Sequence, residues 1–192
     1  MANLVNGLCK WPWEEACRRA GIALAGKVAA RLGIPDNARQ FNPQELAILV
    51  NGLSKWPCED TCRRAGIALA GETTTRLAVP DSARQFNPQA LANLVNGLSK
   101  WPWEDACRRA GIALAGEVTA RLDIPDSARQ FNPQELANLV NGLGKWPRED
   151  ACRRAGIALA GETTTRLAVP DSARQFNPQA LANLVNGLGK WP

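Results

Sequence analysis

The stretch ANLVNGLSKWP, residues 92–102, decides the fold. Near-copies of it begin at Ala2, Ala47, Ala137 and Ala182, and every step is 45 residues. A fixed period in this range marks a solenoid or array. The chain divides into four full units, 2–46, 47–91, 92–136 and 137–181, and a partial fifth, 182–192. No unit is long enough to be a domain, so the array is one quasi-linear folding unit.

Within a unit the pattern is helical. Asn42 is a good N-cap, Pro43 suits the first helical position, and Glu45 can complete a reciprocal capping bond. Leu46, Leu49, Val50, Leu53 and Trp56 then recur at helical spacing, which predicts one buried face. Gly52 interrupts this helix at about 1 kcal/mol against Ala, and close approach of a neighbouring helix would explain it. Pro57 ends the helix and can open a second one over Cys58 to Leu77, with Cys62, Ala65, Leu69, Thr73 and Leu77 inward. Glu59 and Asp60 suit its first turn and Arg76 its last. Residues 78–86 read as a turn with a short helical segment starting at Asp81. Each unit is a helix hairpin plus a connector, unable to bury its apolar face alone. The fold expected is all-α: an α-solenoid, a right-handed superhelix of stacked hairpins of HEAT/armadillo-like type.

A finer alternation overlies the period. Units one and three share Trp13 and Trp103, Glu45 and Glu135, Ile34 and Ile124; units two and four share Ala90 and Ala180 and the runs 73–75 and 163–165. The array looks like a duplicated pair, so identity between units is weak evidence of constraint.

Composition at 45% hydrophobic suits a soluble globular chain. The longest small-apolar run, Ala20 to Gly26, is far too short to span a bilayer, and no signal peptide is evident, so no membrane partner is expected. The net charge of +5 is spread over the units as +2, +1, −1 and +2, with Lys190 adding one, so no basic block exists. Glu14 and Glu15 stand four residues before Arg18 and Arg19, the better orientation for helical ion pairs. Cys17, Cys62, Cys107 and Cys152 occupy one position in successive units. Stacked helices sit about 8–10 Å apart, beyond the reach of a disulfide, so these are read as small core residues in a reducing environment. Cys9 and Cys58 look incidental.

The residue types needed for catalysis are missing. The chain has no His, so a Cys nucleophile has no imidazole partner. No metal-ligand spacing and no glycine-rich phosphate loop occur. The expectation is a protein that is not an enzyme and has no cofactor or metal.

Binding is read from one helix face. Gln89, Asn93, Asn96 and Lys100 lie opposite the apolar stripe; Gln44, Ile48, Asn51, Lys55 and Gln134, Asn138, Asn141, Lys145 repeat the column, with Asn6 its first member. Stacking turns these into a polar ladder that could hydrogen-bond a peptide backbone or nucleobases, be merely solvated, or bridge neighbouring helices. In Lys-Trp-Pro, Trp56 is read as filling the corner between helices, with Lys55 at a helix C-terminus. Trp13, Trp103 and Arg148 share a position with Cys58 that accepts very different side chains and is read as exposed.

The segment NLVNGLSKWP, residues 93–102, resembles the repeat of the SKWP family of type III secreted effectors of plant-pathogenic bacteria. The tetrapeptide is intact at 54–57 and 99–102; Cys9, Gly144 and Gly189 replace its Ser elsewhere. The resemblance covers essentially the whole chain. It implies a HEAT/armadillo-like solenoid delivered into the host cell cytoplasm, engaging host proteins and without enzymatic activity. Proteins of that family are longer, which implies a fragment. FNPQELANLVNGL, residues 131–143, also resembles the first helix of octotricopeptide and FASTK-type repeats, which bind RNA. That keeps single-stranded RNA as the rival ligand, contacted by the amide column and by Cys58, Trp103 and Arg148. Head-to-tail self-association into filaments is a third possibility.

Overall fold

A computed structural model of the chain describes residues 1–191. Among the described residues there are thirteen helices and no strand. Three kinds of helix recur. The first helices are α1 (Ala2–Leu8), α4 (Pro43–Leu53), α7 (Pro88–Leu98), α10 (Pro133–Leu143) and α13 (Pro178–Leu188). The second helices are α2 (Glu15–Leu32), α5 (Asp60–Leu77), α8 (Asp105–Leu122) and α11 (Asp150–Leu167). One-turn connectors are α3 (Pro35–Ala38), α6 (Pro80–Ala83), α9 (Pro125–Ala128) and α12 (Pro170–Ala173). First helices pack on first helices and second on second, each against its neighbour in the array. The result is a two-layer α-solenoid with one continuous core between the layers.

Local chemistry sets the helix starts. Asn42 accepts from the Glu45 N–H at 2.8 Å while Glu45 accepts from the Asn42 N–H at 3.0 Å, a complete capping box. Asn132 and Glu135 repeat it; Asn87 and Asn177 cap alone, because Ala90 and Ala180 stand where the glutamate would. Two boundaries differ from the sequence reading. The second helix begins at Asp60 rather than Cys58, because Trp56 to Glu59 form a turn closed by the Glu59 N–H on Trp56 O at 3.2 Å. The connector helix begins at Pro80 rather than Asp81, since proline suits the first helical position.

Contacts between units specify the stacking. Val5, Val50, Val95 and Val140 each press onto a glycine of the next first helix: Gly52, Gly97, Gly142 and Gly187. A Cβ at Gly97 would fall 2.5 Å from the Val50 side chain and 2.9 Å from its backbone carbon. The first helices therefore touch backbone to backbone, which explains the glycine inside each. The tryptophan of Lys-Trp-Pro works across units too. Trp101 is fully buried on Gly66 of the preceding second helix, and its indole N–H donates to Pro57 O at 2.9 Å. Trp56 on Gly21 and Trp146 on Gly111 repeat the arrangement. Trp56 is buried between helices as its corner-filling reading expects, and the helices it joins belong to two units: the indole bolts its unit to the one before.

The charges are also used between units. Arg18 pairs with Glu15 at 2.8 Å and reaches Glu59 of the next unit at 2.6 Å. Arg63 to Glu104 and Arg108 to Glu149 repeat the link. The expected pair of Glu14 with Arg18 does not form, because Glu14 is the N-cap of α2 and the arginine leans toward the following unit. The pairing of Arg19 with Glu15 does form, at 3.6 Å. At the far end of the second helix, Arg76 pairs with Glu72 and donates to the carbonyls of Phe41 and Ala38 in the preceding connector. The Ala38 carbonyl also accepts from the Phe41 N–H at 3.2 Å, so the Phe41 carbonyl is the one that depends on the arginine. Arg166 does the same for Phe131 and Ala128, and Arg121 for Ala83.

Cys62, Cys107 and Cys152 are buried and Cys17 is half-buried, all as free thiols. Burial pushes the Cys62 thiol up to about 11 and those of Cys107 and Cys152 up to about 12, with Glu59, Glu104 and Glu149 adding to the effect in turn.

Candidate binding face

The outer side of the first-helix layer carries the polar ladder. Because those helices touch at their glycines, the ladder is narrow and its members are crowded together. Asn51, Asn96 and Asn141 are each half-buried. The Asn96 amide donates to Asn51 Oδ1 at 3.1 Å, and Asn186 donates to Asn141 Oδ1 at 2.9 Å. The amides thus both bridge neighbouring helices and reach solvent. A side-chain amide offers two N–H donors and an oxygen with two lone pairs. These bonds leave donors on Asn51 and Asn141 and acceptors on Asn96 and Asn186 unspent, while the Asn141 oxygen also takes the Lys190 ammonium.

A second tier flanks the first. Asn87 donates to Gln44 at 2.9 Å and Gln44 to Gln89 at 3.3 Å, across units. Asn93 and Asn138 are half-buried, and Gln134 donates to Asn138 Oδ1 at 2.9 Å within its own helix. Asn6, on the short α1, is exposed.

Stacking aligns the lysines that helical spacing placed on the polar column. One lysine per unit stands at the end of each first helix, and the array lines them into a column of Lys55, Lys100, Lys145 and Lys190. Lys55, Lys100 and Lys145 are exposed along their chains. Partial burial of the Lys100 ammonium, and then repulsion from Lys55 and Lys145, hold its pKa below the ordinary lysine value. Lys190 is lowered by burial and then by Lys145 and Lys100, although it also donates to the Asn141 carbonyl at 3.2 Å. Lysines that stand singly in the sequence thus form a basic line in space.

The hairpin turns supply the aromatic positions. Trp13 and Trp103 are 74% and 69% exposed, three residues beyond Lys10 and Lys100, and Arg148 and Cys58 are exposed at the same position. All four stand where the sequence reading put them.

The connector edge carries open grooves at three successive unit boundaries, of about 490, 550 and 460 Å³. Arginines Arg76, Arg121 and Arg166 line them. Their guanidiniums are already held by a glutamate and by backbone carbonyls, so the grooves offer no free buried charge. Among the described residues no three His, Cys, Asp or Glu side chains gather into a metal-binding group, and no helix is long and apolar enough to cross a membrane.

One family matches the chain four times. Residues 31–49, 77–95, 124–140 and 167–185 are similar to the family described as protein of unknown function (DUF1601). Each matched segment runs from the end of a second helix through the connector into the next first helix. The Lys-Trp-Pro step and most of each second helix lie outside the matches. No curated protein and no solved structure matches the chain. The similarity supports a tandem helical-repeat protein, an architecture suited to a binding scaffold.

Proposed function

We propose that the chain is a binding scaffold without chemistry of its own, which holds an extended segment of a partner protein along the amide–lysine face. The observation that carries this is the half-used asparagine column. Asn51, Asn96 and Asn141 present unspent donors and acceptors at the repeat spacing, and an extended backbone needs such partners for its own N–H and C=O groups. The resemblance to SKWP-type effectors suggests the setting: HEAT/armadillo-like arrays delivered by a type III system into the host cytoplasm, where the partner is a host protein.

The test is selection of peptides from a random display library on the purified chain, followed by affinity measurement on the variant N51A/N96A/N141A. The reading expects at least a tenfold loss of affinity with an unchanged unfolding midpoint. Equal affinity for both chains would refute it.

The column of lysines, together with exposed Trp13 and Trp103 in the hairpin turns, favours single-stranded RNA as the second reading, since aromatic stacking and phosphate contacts are what such strands use. Submicromolar binding of an RNA oligomer with a steep salt dependence, and no selectable peptide, would decide for RNA.

A further inference from the structure

We infer that the bound segment is acidic and adopts the polyproline II conformation, with a carboxylate at every third residue seated on successive lysines of the column. This rests on the peptide-binding reading above and adds the chemistry of the peptide.

The first support is uncompensated charge. Lys100 stands between Lys55 and Lys145, and the charges that perturb it are these two lysines. The acids closest in sequence are engaged elsewhere. Glu59 is bound by Arg18, Glu104 by Arg63 and Glu149 by Arg108. Asp60 and Asp105 each hold two arginines of their own helix. The negative ends of the first helices offset part of the repulsion, but no carboxylate of the chain completes it. An external line of negative charge would.

The second support is spacing. Equivalent residues on stacked helices stand about 8–10 Å apart. A polyproline II segment rises about 3.1 Å per residue with three residues per turn, so every third side chain returns to the same side after about 9.3 Å. A β-strand repeats its faces every two residues, about 6.7 Å, and falls out of step with the column. An α-helix has already spent its backbone groups internally. A polyproline II backbone has no internal hydrogen bonds, so its N–H and C=O groups remain free for Asn51, Asn96 and Asn141. Trp13 and Trp103, three residues beyond Lys10 and Lys100, present exposed indoles of the kind on which proline rings dock.

The experiment is fluorescence anisotropy on the full chain with labelled probes. The probes are a repeating Pro-Pro-Glu peptide, a repeating Pro-Pro-Gln peptide, a permuted peptide of the first composition with its glutamates out of period, and oligouridine. The periodic acidic peptide should bind at least tenfold more tightly than the other two peptides. The variant K55Q/K100Q/K145Q, checked for unchanged helicity, should lose that difference. Equal binding of the periodic and permuted peptides overturns the register, and equal binding of the Gln peptide overturns the acidic chemistry. In both cases peptides that depend on the asparagines would leave the broader reading standing. Tighter binding of oligouridine, or no peptide binding at all, overturns both.

Discussion

Substituting Gly66 by alanine tests the stacking most sharply. Gly66 faces Trp101, and an added Cβ would lie 2.6 Å from ring atom Cζ3. The ring has no room to yield: Trp101 is fully buried and its N–H is fixed on Pro57 O at 2.9 Å. Overpacking of this kind costs about 1–3 kcal/mol. Losing the indole hydrogen bond adds about 1 kcal/mol. The better helix propensity of alanine returns about 1 kcal/mol. The net expectation is a destabilisation of about 1–3 kcal/mol. The same helix supplies its own control. Gly71 has nothing within 4 Å of an added Cβ. Gly71→Ala should therefore stabilise by about 0.5–1 kcal/mol through the backbone alone. Urea unfolding followed by far-UV circular dichroism reads both: the midpoint should fall for Gly66→Ala and rise for Gly71→Ala. A Gly66→Ala chain as stable as the parent would refute the claim that the indole is seated on that glycine.

Other consequences follow from the same contacts. Arg166→Met should destabilise by about 1–3 kcal/mol, since it strands the Phe131 carbonyl and Glu162, while the Ala128 carbonyl keeps the Phe131 N–H, whereas Arg174→Met, which breaks only an exposed pair with Asp171, should move the urea midpoint little. A thiol reagent should label exposed Cys58 quickly and Cys62, Cys107 and Cys152 only as the chain unfolds, which mass spectrometry of labelled peptides resolves. Stability should fall in alkali. The folded thiols of Cys62, Cys107 and Cys152 are raised to about 11, 12 and 12, while unfolded thiols ionise from about pH 8.5. The unfolded state then holds fewer protons, so this contribution is intact below about pH 8.5 and is lost as pH climbs toward about 11–12. Cys107→Ala should lessen the fall in a pH series of urea midpoints.

The helices were legible because their signals are local. The Asn42–Pro43–Glu45 start, the apolar spacing from Leu46 to Trp56 and the proline after it each act within one turn or two. The unit-to-unit contacts were not legible, because they join residues far apart in sequence. Gly66 meets Trp101, Arg63 meets Glu104 and Arg76 meets the Ala38 carbonyl. Nothing in a local window relates such positions. Gly52 was the one hint, since a glycine inside a helix asks for a close neighbour, and Val5 is that neighbour. The candidate site shows the same division. The amide face followed from helical spacing, and the exposure of Trp13 and Trp103 from the freedom of their position. Lys55, Lys100 and Lys145 were placed on the same column by the same spacing, but their mutual repulsion was not legible, because net charge counted along a chain says nothing about how closely stacking brings its charges together.

The most direct test of the central claim is a lysine acetylation footprint of the full chain, alone and with a library-selected peptide. Lys27 lies exposed on α2, in the other layer, and serves as the internal control. If a partner segment lies along the amide–lysine face, Lys55, Lys100 and Lys145 lose reactivity together on binding and Lys27 does not. Protection of Lys27 instead, or unchanged reactivity of the three in a saturated complex, would contradict the assignment of this face as the binding surface.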